Sequence, residues 1–308
     1  MRVLPLACMI ALGSGCRDTA SRLPLYRVVP IADGPAAAVG LLPDGRYLVG
    51  EGETLWVTDR EGATASIALD YGKQRRRLKD VRAVASSPVG VANADWAISG
   101  PVAAIADAGT HRVWGLRVTG VDGFGTVLAT MEILAGTGTT FYPIGDGAPA
   151  QAAQLDSPAG VAWTPDGNLL IADTGHGRVR QVGPGGRIAT VFGTGVPGSR
   201  GYLASPRALA ALPAGGFAVA EQARVTRIGQ DVMPEQIAEF PAAGLAVTPD
   251  GAILASAGKE IRALGGHGGQ VVATGLHGPA ALLANPDGTI MVADTDRVAL
   301  LTRDTTAR

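Results

Sequence analysis

The side chains with the most chemical reach in this chain are acids that close apolar runs at a regular beat. Glu51, Asp107, Asp173, Glu221 and Asp294 each end such a run, and Ser256 interrupts the series. Carboxylates gathered in a ring can hold a cation. Acids that recur once per repeat have a simpler use, since each can accept backbone N–H bonds in its own tight turn. The structural use is the one expected here. His111, His176 and His277 are imidazoles able to ligate a metal or move a proton. They stand in different repeats, so no metal site, cofactor or catalytic set is assigned to them. No serine–histidine, cysteine–histidine or Walker-type pattern is present.

The elements that position these groups follow from repetition. Pro35, Pro88, Pro158, Pro206, Pro241 and Pro279 open six copies of one phrase. A strand of small residues follows each proline, expected over 37–42, 90–94, 160–164, 207–212, 244–248 and 280–285. Pro-Asp-Gly then ends the strand at Pro43, Pro165, Pro249 and Pro286. Proline presets φ and glycine accepts positive φ, so these are hairpin turns. The second strands, over 47–49, 102–105, 169–171, 217–219, 253–255 and 290–292, are apolar throughout, which suits burial on both faces. Third strands follow over 55–57, 112–114, 178–180, 225–228, 261–264 and 297–300, and fourth strands over 65–69, 126–134, 187–192, 236–240 and 270–274. The last copy lacks a fourth strand, while a spare strand, 25–31, precedes the first copy. Joining the two closes a ring and covers an edge. The expected fold is an all-β, six-bladed β-propeller whose last blade is completed by the N-terminal strand.

Composition agrees. The chain has 308 residues with 44 glycines, 20 prolines, 17% charged residues and a formal net charge of −1. That balance supplies no global field for nucleic acid. The basic run Lys73, Arg75, Arg76, Arg77 and Lys79 has no interleaved aromatics and reads as a solvated loop.

In a four-stranded blade, the second-to-third loops share a face with the blade-to-blade loops. His111, His176 and His277 fall on that face, as do the insertions 70–87 and 136–157. Loops on a rigid scaffold make a natural binding surface. Arg207, His176, His277, Asp156 and Tyr142 are its candidate ligand-binding residues. The central channel should be lined by the residue after each opening proline: Ala36, Val89, Ala159, Arg207, Ala242 and Ala280. Arg207 is the polar exception there. It suits an anion or a carboxylate partner; a packing arginine is the blander use.

The N-terminus has the form of an export signal: Met1-Arg2, an apolar stretch over 3–12, then Gly13-Ser14-Gly15-Cys16. It resembles a bacterial lipobox, which implies lipidation of Cys16 and a membrane anchor. Gly13 stands where that pattern prefers leucine. The expected organisation is a signal over 1–15, a tether over 16–24 and one propeller domain over 25–308. Cys8 leaves with the signal, so the mature chain has no internal disulfide.

Over 145–195 the sequence resembles an NHL repeat, carried by Gly145-Asp146-Gly147-Ala148-Pro149-Ala150, by Leu155-Asp156-Ser157-Pro158-Ala159-Gly160-Val161 and by Ile171-Ala172-Asp173-Thr174-Gly175-His176-Gly177-Arg178-Val179. The second copy, Ile105-Ala106-Asp107-Ala108-Gly109-Thr110-His111-Arg112-Val113, resembles it as well. The resemblance implies the same propeller. The expected function is an exported, lipid-anchored monomeric module in the cell envelope, on the outer membrane or periplasmic side. It would bind a protein, peptide or glycan through the loop-elaborated face. The rival is a channel-centred enzyme. Propellers similar in architecture, such as gluconolactonase-like lactonases and streptogramin lyases, place a metal and acid/base groups in the channel.

Overall fold

The structure is a computed structural model that describes residues 26–74, 77–87, 101–265 and 269–303. Antiparallel four-stranded meanders follow one another along the chain. The first is β2 (Ala38–Leu41), β3 (Tyr47–Glu51), β4 (Thr54–Thr58) and β5 (Thr64–Asp70). The second is β6 (Val81–Ser86), β7 (Ala103–Asp107), β8 (Arg112–Val121) and β9 (Val127–Ala135). The third is β10 (Gly160–Trp163), β11 (Leu169–Asp173), β12 (Arg178–Val182) and β13 (Ile188–Phe192). The fourth is β14 (Ala208–Ala211), β15 (Phe217–Ala220), β16 (Val225–Ile228) and β17 (Pro234–Ala238). The fifth is β18 (Leu245–Val247), β19 (Ile253–Ala257), β20 (Glu260–Leu264) and β21 (Gln270–Ala273). The last is β22 (Ala281–Ala284), β23 (Ile290–Ala293) and β24 (Arg297–Arg303), and its outer strand is β1 (Tyr26–Asp33), paired antiparallel to β24. The expected closure by the N-terminal strand is therefore present.

Alternation along the second strands explains the ring. Leu48 packs towards the second meander, with Ile105, Trp114 and Leu116. Its neighbours Tyr47 and Val49 pack towards the last meander, with Met291 and Val298. Likewise Ile171 faces the second meander's Ala104 and Val113, while Leu170 faces the fourth meander's Val219 and Ile228. The period-two alternation of a strand sends successive side chains to opposite neighbours. The core is thus a set of layers between adjacent sheets, and the layer between the last and the first closes the circle. This is why the second strands lack a polar side.

The inner strands β2, β6, β10, β14, β18 and β22 line a central channel. They approach closely because their facing residues are small. A methyl group on Gly160 would sit 2.5 Å from the Arg207 carbonyl oxygen, and one on Gly244 would sit 2.9 Å from that of Ala280. The Pro-Asp-Gly turns form as expected, with Gly167 at φ +82° inside the bond from the Gly167 N–H to the Thr164 carbonyl.

The second meander corrects one expectation. Its inner strand is Val81–Ser86, not a segment after Pro88, and residues 88–100 lie outside the described residues. Part of the presumed insertion 70–87 is therefore sheet. The channel position expected at Val89 belongs to Arg82, which lines the channel with Ala83 and Val84. The first two meanders also merge, because β5 pairs in parallel with β9 from Ile67↔Val127 to Asp70↔Thr130. The long hairpin β8–β9 carries β9 past its own sheet to reach that edge.

Deleting residues 26–33 should expose the edge of β24 and uncover Leu301 and Ile290, which pack with Tyr26. The melting temperature should fall by at least about 5 °C. Thermal unfolding followed by circular dichroism would check this, and an unchanged midpoint would remove the closing role of β1.

Candidate functional site

The recurrent acids come first, because they fix the loops of one face. Asp173 ends β11 and accepts the Asp156 N–H at 2.7 Å. Asp107 ends β7 and accepts the Asp80 N–H at 2.9 Å and the Thr110 hydroxyl at 2.7 Å. Glu221 takes the Ala204 N–H at 2.7 Å, and Asp294 takes the Gly278 N–H at 2.6 Å and the His277 N–H at 2.9 Å. Ser256 breaks the acidic series but keeps the job, accepting the Gly244 N–H at 2.7 Å through its hydroxyl. In each case the backbone donor belongs to the segment that enters the same sheet's inner strand. These side chains are buried and spent on backbone donors.

Those segments deliver the channel mouth. Arg207, exposed, precedes β14; its N–H bonds the Ala220 carbonyl at 2.8 Å, and the preceding Pro206 carbonyl accepts the Thr174 hydroxyl at 2.7 Å. Arg82 is also exposed, and one of its Nη atoms meets an Asp80 oxygen at 2.7 Å. Ala159, Gly160, Ala243 and Ala280 complete the rim beside them, above apolar walls such as Val161 and Leu282. Among the described residues, the lining offers no carboxylate, imidazole or thiol.

The remaining candidates separate into distinct places. His176 is 6% exposed, with Nδ1 2.9 Å from an Asp173 oxygen and Nε2 3.2 Å from the Thr140 carbonyl. Both ring nitrogens face acceptors, so the bonded form is the imidazolium. The hydrogen bond to Asp173 raises its pKa above the ordinary 6.5, against the opposing effect of burial. Arg180 is fully buried beside it, 3.2 Å from Asp173 and 2.7 Å from Asp146. Together these cations clamp the insertion 136–157 onto β11 and β12. Tyr142 rides on that insertion, 66% exposed, with its ring edge-on to His176 at 5.4 Å between centroids; Phe141 beside it is 77% exposed.

Asp156 is half-buried. It accepts the Ser157 hydroxyl at 2.9 Å and lies 3.5 Å from His111 Nδ1, which itself accepts the Ser157 N–H at 3.0 Å. This is not a nucleophile relay, because the hydroxyl donates to the acid and the ring nitrogen is occupied by backbone. His277 Nδ1 stands 2.6 Å from Asp296, at an exposed position. His277, Asp294 and Asp296 could meet one ion geometrically. The Asp294 oxygens, however, already accept the His277, Gly278 and Thr295 N–H groups. Cys16 lies outside the described residues.

Of the five ligand-binding candidates, the structure joins Tyr142 to His176, links Asp156 to His176 through Asp173, and leaves His277 and Arg207 apart. Arg82 is the residue that the sequence reading missed. The missing Pro-Asp-Gly turn after Pro88 was the available signal that this proline did not open a sheet.

With the geometry in place, comparison adds two findings. Residues 155–182 match the NHL repeat family. That stretch spans the Asp156 segment, β10, β11 and β12, where the clamped insertion meets the channel mouth. Among solved structures, a gluconolactonase of Xanthomonas campestris superposes with a TM-score of 0.64 at 12% identity, covering 93% of each chain. A gluconolactonase-like protein gives 0.64 at 16% identity, covering 93% of this chain and 97% of its own. A streptogramin B lyase gives 0.56 at 11% identity, covering 91% and 98%. At these identities the likeness shows the β-propeller fold. No curated protein matches the chain by sequence.

The His176 contacts generate a pH prediction. Its folded pKa is raised, so its stabilisation is complete below the unfolded value of about 6.5 and disappears as pH rises through the folded one. Urea unfolding should show stability falling above about pH 6.5, with His176→Gln flattening that slope. Equal slopes in the two proteins would count against the clamp.

Proposed function

We propose that the chain is a channel-centred propeller enzyme of lactonase or lyase type, with its reaction centre at the loop-face mouth. The carrying observation is the pair of exposed guanidiniums, Arg82 and Arg207, set over an apolar channel that all the inner strands build. The structural likeness to gluconolactonases and a streptogramin B lyase over nine-tenths of the chain supports this reading over that of a scaffold. Guanidinium donors at an apolar mouth can stabilise charge developing on oxygen. That oxygen is the carbonyl oxygen of a lactone under attack, or the enolate oxygen of an elimination. Asp156, on the segment that enters β10, and His111, on the β7–β8 loop, are the proton-handling candidates, and neither lines the channel.

The metal-dependent form of this chemistry does not fit the channel. Its described lining contains no ligating side chain, and in the cluster of His277, Asp294 and Asp296 the Asp294 oxygens are committed to backbone N–H groups. Purified protein should therefore open aldonolactones or cleave a streptogramin B depsipeptide in the presence of a chelator. Arg207→Gln should lower kcat/KM by roughly a hundredfold or more. Absence of turnover on both substrate classes, or turnover abolished by chelation, would defeat the proposal.

A second reading, capture of a protein, peptide or glycan on the loop face, is favoured by the exposed Phe141 and Tyr142. Either reading is compatible with export and a lipid on Cys16, which we propose from the sequence that precedes it. Radiolabelled palmitate should enter the native protein and not the Cys16→Ser variant. Equal labelling and membrane fractionation of the two would rule out the anchor.

A further inference from the structure

We infer that the channel mouth recognises an oxyanion group, a carboxylate or phosphate, on its small-molecule ligand. The inference rests on the channel-centred reading and names the class of ligand that the mouth takes. Arg82 and Arg207 are the charged side chains of the lining, and no described acid lines the channel with them. The formal charge of the described lining is therefore positive at every working pH, since guanidinium does not deprotonate in proteins. Apolar walls, here Val39, Val161, Leu209 and Leu282, strengthen a charge–charge contact by excluding water.

The two arginines are not equivalent. Arg82 is oriented through its Asp80 contact, which neutralises part of its charge. Arg207 makes no side-chain hydrogen bond or ion pair among the described residues, although its backbone is held on both sides. A packing arginine would be buried with its terminal nitrogens bonded, as Arg180 is, whose Nη atoms meet Asp173 and Asp146. Arg207 is instead exposed, at the entrance to a channel of small side chains. Its planar fork suits a two-oxygen acceptor. The third meander's contribution to the rim is Ala159 and Gly160, which puts no side chain beyond a methyl between the arginines on the second and fourth. The ligand's anionic group can then lie across both.

The test uses the full mature chain, labelled with nitrogen-15, titrated at constant ionic strength with inorganic phosphate and separately with malonate. Saturable one-to-one binding is expected for at least one probe, with arginine Nε–H resonances shifting in step with calorimetric heat. Arg207→Gln and Arg82→Gln should each weaken binding at least tenfold, while Arg207→Lys should retain more affinity than Arg207→Gln. Both positions are exposed, so melting temperatures should stay within a degree or two of the parent. Preference for malonate or for phosphate tells a carboxylate ligand from a phosphorylated one, and either supports the inference. No saturable binding of either probe, or binding that survives both Gln substitutions, overturns it. The two readings fail differently. Anion binding without turnover defeats the enzyme and leaves this inference standing. Turnover of a neutral lactone, with no anion binding, does the reverse.

Discussion

The rest of the structure depends on one hydrogen bond made repeatedly: a buried acceptor at the end of each second strand from the second meander onward holds the backbone that enters its own sheet. Asp107, Asp173, Glu221, Ser256 and Asp294 all make it, to donors at Asp80, Asp156, Ala204, Gly244 and Gly278. A buried carboxylate without donors is costly, and a loop N–H without an acceptor is costly too. Each satisfies the other. The consequence is geometric. The acceptor is anchored in the most buried strand of the sheet, so the residue that starts the inner strand has little freedom. The rim of the channel inherits its shape from these contacts.

The interleaved core has a second consequence. No meander owns a complete apolar layer, because successive side chains of its second strand belong to different layers. A single sheet cannot bury its faces alone, and stability is collective around the ring. That explains the pairing of β1 with β24, which joins the ends of the chain in one sheet. It also explains why variation collects in loops. The insertion 136–157 leaves the layers intact, since Ala150, Ala153 and Leu155 simply extend one of them.

Most of the scaffold was legible in the sequence because it is repetitive. Turn chemistry fixed the hairpins, and the second strands, apolar throughout, announced burial on both sides. The split last sheet announced closure. Three features were not legible, each for a physical reason. The inner strand at Val81–Ser86 has no opening proline, and its entry is held instead by the Val81 N–H on the Gly52 carbonyl at 2.8 Å, a long-range contact that local pattern does not encode. The parallel pairing of β5 with β9 depends on how far a hairpin overhangs, which local pattern does not encode. The burial of His176 depends on Thr140, thirty-six residues away, whose carbonyl covers the second ring nitrogen.

The same contrast locates the chemistry. From the second meander onward, each polar residue that ends a second strand has a partner in the fold, and its reactivity is spent. Asp173 is the extreme case: it holds an N–H, an imidazolium and a guanidinium at once. Arg82 and Arg207 belong to no series, and the ring has no structural use for a cation at those positions, since alanine or glycine serves at the equivalent sites of the other meanders, Ala37, Ala159, Gly244 and Ala280. A charge set at the mouth of an apolar channel, where the fold is equally well built without it, is retained for something outside the fold. Its sign and its paired placement then constrain that something to be negative and small enough to enter between inner strands whose packing a single added methyl group would disturb.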